Sequence, residues 1–393
     1  MRSVITADWL WDGTTMLRDP AVEISDSQIV NISSRLQSEI PANATQIDFA
    51  GATLAPAFLD VHIHGAAGHD VMEATPEALA KVSEFLASRG TGNFLATTVT
   101  APIETTLRSL DGLAKRIDDA KGDDWTGARP LGIHLEGPFL SHAKRGVHPP
   151  AHLLEPDIAI FDRFYQAAEG KIRLITVAPE LAGAAELAAH ATALGVRVSV
   201  GHSNATAAET NRAIAAGATS ATHTFNAMRP LDHREPGILG EVLTTDSLYA
   251  ELICDGIHVD ASLIPLWWRA KGGSRAILVT DAMSATGMPD GEYMLGGFAV
   301  QVANGRAMAD GVLAGSVLTL DRALRNFVAF TGVSVESALP LVTQNPAAMT
   351  GFGEAAGTLR VGGAANLVAL GADGSLVASV IGGKIQGGFP AAN

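Results

Sequence analysis

From residue 58 onward, apolar runs of strand length alternate with longer stretches whose apolar residues recur every three to four positions. The strand-like runs cover residues 58–64, 93–99, 130–136, 171–178, 196–202, 220–225, 249–258 and 276–281. Eight strands alternating with helical patterns predict a (β/α)8 TIM-like barrel, roughly 250 residues long in its typical form. The chain ends read differently. Ala21-Val22-Glu23-Ile24 and Gln28-Ile29-Val30-Asn31-Ile32, set off by Asp12-Gly13 and Asp26-Ser27, predict short antiparallel strands. Asn366-Leu367-Val368-Ala369-Leu370 and Val377-Ala378-Ser379-Val380-Ile381, around Asp373-Gly374, repeat that style. We therefore expect one small β-sandwich domain built from both termini, residues 1–55 and 355–393, attached to a barrel over residues 56–354.

The helical stretches carry their own punctuation. Thr75-Pro76 predicts a helix start and Gly90 its stop. Thr206-Ala207-Ala208-Glu209 has capping-box spacing, with Gly217 beyond the periodic segment. Pro340 argues against a continuous helix late in the chain.

Composition narrows the chemistry more than the fold. The 393 residues are 47% hydrophobic and 17% charged, an ordinary balance for a chain with a large core. A formal net charge of −14 with no Lys/Arg block argues against a nucleic-acid partner. No apolar run approaches the length of a membrane span, and Met1 to Asp8 breaks too early for a signal peptide, so the cytoplasm is the expected location. Cys254 is the only cysteine, which excludes an internal disulfide and a thiolate cluster. Any metal must be held by His, Asp and Glu.

Such residues gather at the ends of the predicted strands. Asp60, His62 and His64 alternate along the first, so they share a face. Asp60 reads as a carboxylate orienting an imidazole rather than as a ligand. Glu136 ends the third run in Gly132-Ile133-His134-Leu135-Glu136-Gly137-Pro138; alone it is either a metal ligand or a locally bonded edge residue. His202 ends the fifth, His223 lies near the end of the sixth and Asp281 ends the eighth. In a (β/α)8 barrel these ends converge on the catalytic face, and imidazole with carboxylate suits Zn²⁺ or a similar divalent ion. A carboxylate beside a metal-activated water can move its proton, a role open to Asp281; a further ligand or a helix cap is the other reading. His134 shares the face of Glu136 and reads equally as a lining or a core residue. His69, His142, His152, His190 and His233 read as structural or surface residues.

His62-Ile63-His64, the Gly132 to Pro138 stretch, Gly201-His202-Ser203, Thr222-His223-Thr224-Phe225-Asn226-Ala227-Met228, His233-Arg234-Glu235-Pro236-Gly237, Asp255-Gly256-Ile257-His258 and Val279-Thr280-Asp281-Ala282 together resemble the N-acetylglucosamine-6-phosphate deacetylase family of the amidohydrolase superfamily, almost end to end. The resemblance implies hydrolysis of a 2-acetamido group to acetate and an amine. It implies that Glu136, His202 and His223 hold the principal metal, that Asp281 is the general base and acid, and that the retained His62 and His64 allow a second ion. One or two divalent ions, Zn²⁺ first among them, are the expected cofactor. Val147 and His148 match a substrate-contacting turn, with His148 placed to bond a sugar hydroxyl or the amide carbonyl. Asn226, Ala227, Arg234 and His258 match the phosphate contacts, and Leu313, Ala314 and Gly315 another substrate turn. The expected partner is a phosphorylated amino sugar, and the expected assembly a homodimer in which Arg234 or His258 acts across the interface. Thr224 stands where the family has leucine, Cys254 where alanine is common, and Gly362-Gly363-Ala364-Ala365-Asn366-Leu367 lacks the lysine and aspartate of the usual G-K-x-A-D-L pattern. N-Acetylgalactosamine 6-phosphate or another N-acyl compound is the alternative substrate; a non-catalytic barrel is the alternative class.

Overall fold

The computed structural model describes residues 2–35, 44–122 and 124–387. Eight parallel strands, Phe58–Ile63, Thr91–Thr98, Arg129–Glu136, Ile172–Val177, Arg197–Val200, Ala218–Ala221, Tyr249–Ile253 and Ala276–Val279, pair in chain order, each beside the next. The first and eighth meet at the mouth, where Ile63 pairs with Ala282 and the Asp281 N–H donates to the His62 carbonyl at 2.9 Å. That seam closes a (β/α)8 barrel. It also brings His62, His64 and Asp281, far apart in sequence, to one place.

A helix follows every strand: Pro76–Ser88, Ile103–Asp119, Ile158–Ala167, Ala184–Ala193, Ala207–Ala215, Gly237–Thr244, Ile264–Arg275 and Leu320–Thr331. The second buries Thr106, Ser109, Leu110, Leu113, Ala114 and Ile117, the stripe that helical periodicity lays against a sheet. The Thr75 side chain caps the first helix by accepting from the Ala78 N–H at 3.2 Å, and Gly90 follows at φ +84°. Thr206 and Glu209 form the capping box expected of them. Near Pro340 the chain breaks into Val335–Ala338, a 3₁₀ turn Leu339–Val342, and Gln344–Thr350. The strands' outward side chains are apolar, while much of the lumen is buried and polar: Thr97, His134, Thr176, Ser199, Thr222 and Glu251. His134 Nε2 lies 2.8 Å from Thr176 Oγ1, which in turn lies 2.8 Å from Thr222 Oγ1. Among the described residues no single helix is long and apolar enough to cross a membrane.

The terminal strands share one hydrogen-bonded sheet. Thr45–Pro56 pairs in parallel with Arg2–Trp11 and antiparallel with Leu367–Leu370, which joins the two chain ends. Ile29 exchanges hydrogen bonds with Gly362 and Gly363, so the far edge rolls back over a core of Ile5, Leu10, Val22, Ile24, Leu54, Leu367 and Val380. Those glycines supply the turn whose sequence departs from the superfamily pattern. The predicted ranges 1–55 and 355–393 include residues 1, 36–43 and 388–393, which lie outside the described residues.

One element was not foreseen. Gly291–Leu295, Phe298–Ala303, Arg306–Ala309 and Val312–Leu313 form an antiparallel sheet between the eighth strand and its helix. Asn304-Gly305 and Asp310-Gly311 have positive φ at both residues, as two-residue hairpin turns require. The Gly296 N–H donates to Asp70 Oδ2 at 2.7 Å, which ties this sheet to the barrel mouth.

Candidate metal centre and active site

Glu136 ends the third strand, buried, with five imidazole nitrogens around it. Its Oε1 lies 3.4 Å from His62 Nε2, 3.3 Å from His202 Nε2 and 3.3 Å from His223 Nε2. Its Oε2 lies 3.3 Å from His64 Nε2 and 3.6 Å from His148 Nε2. Asp281 Oδ1 lies 3.0 Å from His64 Nε2 and 3.5 Å from His62 Nε2. Thus the six residues expected from the strand ends do converge.

The partners of the far ring nitrogens fix what the near ones present. His64 Nδ1 lies 3.1 Å from the Thr97 carbonyl and His202 Nδ1 2.9 Å from the Lys144 carbonyl. A carbonyl only accepts, so both rings carry hydrogen on Nδ1, and Nε2, turned toward Glu136, is the nitrogen free to bind a metal in place of a proton. His62 Nδ1 likewise faces Glu251 Oε2 at 3.1 Å. His148 is the opposite case: its Nδ1 accepts from the Thr100 N–H at 3.3 Å, so its Nε2 carries the hydrogen and donates. Two donor triads lie within 4.8 Å, His62, His64 and Glu136, and Glu136, His148 and His202. The tautomer of His148 makes it a poor member of the second, whereas His223 Nε2, 3.0 Å from His202 Nε2, replaces it naturally.

Lone pairs facing a carboxylate or each other repel unless a proton or a cation lies between them. Among the described residues, His62 Nε2 and Glu136 Oε1 are buried without a hydrogen-bond partner, as is His223 Nδ1. Two histidine pairs and a shared carboxylate therefore fit a divalent ion or a close pair of ions. Burial disfavours charge on His62, His64, Glu136 and Asp281, yet the opposite charges beside them outweigh it. Glu136 and Asp281 push His62 well above its ordinary value, and Asp281 and Glu136 push His64 up to about 9. The same attractions hold Glu136 and Asp281 below the usual carboxylate range despite burial. Burial dominates at His148, lowered to about 4, which keeps that ring neutral.

The backbone is unusual where the ligands leave it. His202, His223, Phe225, Ala227 and Asp281 have φ of +45°, +28°, +80°, +51° and +51°. Side chains rarely tolerate this left-handed region, and such strain concentrates at functional sites.

A cavity of about 430 Å³ opens over the cluster, lined in part by His64, Glu136, His202, His223 and Asp281. Val147, His148, Asn226, Ala227, His258, Leu313 and Gly315 line it as well, and Ala314 is buried behind that wall. Arg234 is not brought there: it is exposed, on a loop whose N–H groups donate to Asp232. His258 is held by Asp255, Nδ1 to Oδ2 at 2.7 Å.

Sequence reasoning misread Asp60 and missed Glu251. Asp60 accepts from the His62 N–H at 3.2 Å and the Thr280 hydroxyl at 2.6 Å, and burial raises it to about 7. It pins the strand seam, while Glu251 holds the imidazole. A lone glutamate in the apolar run Tyr249-Ala250-Glu251-Leu252-Ile253 was the available signal. His134 proves to be a core residue bonded to its neighbours, fully buried behind the cavity lining, with Nε2 2.8 Å from Thr176 Oγ1 and its ring edge-on to His62 at 4.7 Å. Lys144, Leu295 and Met308 also line the cavity. Thr224 is buried with no hydrogen-bond partner for its hydroxyl, while Cys254 is buried as expected.

A model of the amidohydrolase family matches residues 53–386. The chain is 39% identical to the N-acetylgalactosamine-6-phosphate deacetylase of Escherichia coli O157:H7, covering 94% of this chain and 95% of that one. It is 36% identical to the N-acetylglucosamine-6-phosphate deacetylase of Bacillus subtilis, covering 94% and 93%. The structure of the N-acetyl-D-glucosamine-6-phosphate deacetylase from Mycobacterium smegmatis, a mutant in complex with N-acetyl-D-glucosamine-6-phosphate, superposes with TM-score 0.90 at 35% identity, covering 98% of this chain and 99% of that one. The chain belongs to the amidohydrolase family, in its N-acetylglucosamine-6-phosphate deacetylase branch.

Proposed function

We propose that this protein hydrolyses N-acetyl-D-glucosamine 6-phosphate to glucosamine 6-phosphate and acetate. The observation that carries the reading is the pair of lumen oxygens of Glu136 ringed by imidazole lone pairs, with Asp281 beside them at the cavity floor. His62, His64, Glu136, His202 and His223 would hold one or two divalent ions, Zn²⁺ first by donor chemistry, which when bound activate water and polarise a carbonyl. Among the described residues, Asp281 and Glu136 are the carboxylates lining the cavity, and Glu136 is committed to the histidines. Asp281 therefore takes the proton of the attacking water and returns it to the amide nitrogen as the C–N bond breaks. His148, neutral and with its hydrogen on Nε2, donates to the substrate's carbonyl or a sugar hydroxyl.

The phosphate binds at the Asn226-Ala227 backbone and His258, which line the same cavity, as does Lys144. Arg234 reaches a phosphate from a second copy of the chain, in a homodimer. Leu313, on the last strand of the added sheet, and Gly315, just past it, contact the sugar. The lone, buried Cys254 suits a reducing compartment such as the cytoplasm. N-Acetylgalactosamine 6-phosphate is the second reading, favoured by the 39% identity to a deacetylase named for it. Acetate release by Zn²⁺-loaded protein from each epimer, with and without the 6-phosphate, separates them. The glucosamine reading requires the greater kcat/KM on N-acetylglucosamine 6-phosphate; a greater value on the galacto epimer reverses the assignment.

A further inference from the structure

The carboxylate of Glu251 sits in the middle of the seventh strand, 0% exposed, inside a barrel that has no need of another buried charge. An unpaired carboxylate there is costly, so its contacts indicate its use. Its Oε2 accepts from His62 Nδ1 at 3.1 Å and from the His223 backbone N–H at 3.2 Å. Its backbone carbonyl accepts from the Thr224 N–H at 2.8 Å. One residue thus reaches both histidine pairs, across the lumen to the first strand and sideways to the sixth.

We propose that Glu251 is a positioning residue that makes His62 a metal ligand. This rests on the metal-dependent reading above. The reasoning turns on the proton of the ring. Glu251 keeps hydrogen on Nδ1, so Nε2, which faces Glu136 Oε1 at 3.4 Å and Asp281 Oδ1 at 3.5 Å, is the nitrogen left to a metal ion that displaces its proton. Without that acceptor, the neutral ring gains by carrying its hydrogen on Nε2, where it donates to Glu136 or Asp281 and cannot ligate. His64 is insulated from this exchange, because the Thr97 carbonyl holds its tautomer. The His62 subsite therefore depends on a side chain from another strand; loss of that side chain leaves the donor atoms of His64, Glu136, His202 and His223 present and frees only the His223 backbone N–H. Outer partners of metal-bound histidines typically contribute about 10–100-fold in metal affinity.

The test is a double-variant cycle on the full chain, read by Zn²⁺ titration against a chromophoric chelator and by the visible spectrum of the Co²⁺-loaded protein. Glu251→Ala is expected to weaken Zn²⁺ binding about 10–100-fold, to match His62→Gln, and to change the Co²⁺ spectrum in the same way. The double variant is expected to be no weaker than His62→Gln alone, since both changes remove one subsite. Glu251→Gln, which offers an acceptor oxygen at the same reach, should bind Zn²⁺ nearly as the parent does. Parent-like binding by Glu251→Ala overturns the proposal, as does a double variant in which the two losses multiply. If the alanine variant does not fold, Glu251→Asp decides, because its shorter side chain withdraws the oxygen from Nδ1; unchanged binding there overturns the proposal. A parent protein that binds no Zn²⁺ would instead refute the metal-dependent reading itself.

Discussion

The two histidine pairs around Glu136 offer the same chemistry on different supports. His62 and His64 lie on an extended strand and its end, and their rings are set by Glu251 and the Thr97 carbonyl. His202 and His223 leave their strands on left-handed backbone, at φ +45° and +28°, and His223 Nδ1 has no partner. Both rings of the first pair are held by hydrogen bonds; in the second the Lys144 carbonyl holds His202, and the path of the main chain aims His223. Glu251 reaches the first pair through a ring nitrogen and the second only through the His223 main chain, so its loss should weaken the His62 subsite most.

The largest expected effect strikes both pairs together. Glu136→Ala removes the carboxylate they share and should lower metal content further than His62→Ala, measured by elemental analysis of dialysed protein. Equal contents in the two variants would break the idea that Glu136 serves both.

A pH experiment probes the first pair. Its imidazoles are raised in the folded protein, with His64 at about 9 against 6.5, so their contribution to metal-free stability is full below pH 6.5 and is lost as pH rises through about 9. Glu136 and Asp281 are lowered, so theirs is present above about pH 4.5 and lost on acidification. Metal-free protein should therefore lose stability as pH rises from about 7 to 9, above the range in which His148, at about 4, and Asp60, at about 7, change charge, by an amount on the order of a few kcal/mol. Zn²⁺ takes the place of those protons, so the stabilisation it adds should grow over the same range. A thermal-melt series whose Zn²⁺ increment is flat from pH 6 to 9 would contradict the assignment.

The smallest expected effect tests whether losses at the centre are merely losses of fold. Thr206→Ala removes the capping box of the fifth helix, just past His202, and should cost about 1 kcal/mol in urea unfolding with metal content unchanged. A fall in bound metal would mean that the His202 loop is less independent than its backbone suggests.

What the sequence disclosed follows the same division. Strand-end residues were legible because a buried strand ending in histidine or carboxylate has few structural uses, and the barrel's chain-order pairing makes those ends meet. Caps at Thr75 and Thr206 were legible because they are local. Glu251 was not, since nothing in Tyr249-Ala250-Glu251-Leu252-Ile253 says which strand lies across the lumen. His148 needed the Thr100 N–H to show which nitrogen carries hydrogen. The hairpins at Asn304-Gly305 and Asp310-Gly311 had their turn signature in plain view, but the eight-strand pattern drew attention away from a second sheet. Arg234 is the converse: its motif is in the sequence, and the single chain leaves it in solvent.

The proposed reaction depends on one proton acceptor, Asp281, beside the candidate metal ligands. The direct test is acetate release from N-acetylglucosamine 6-phosphate by Asp281→Asn, with bound metal measured in the same preparation. The account predicts metal content near that of the parent and a kcat lower by about 10²–10⁴-fold. Normal turnover with metal bound would contradict it.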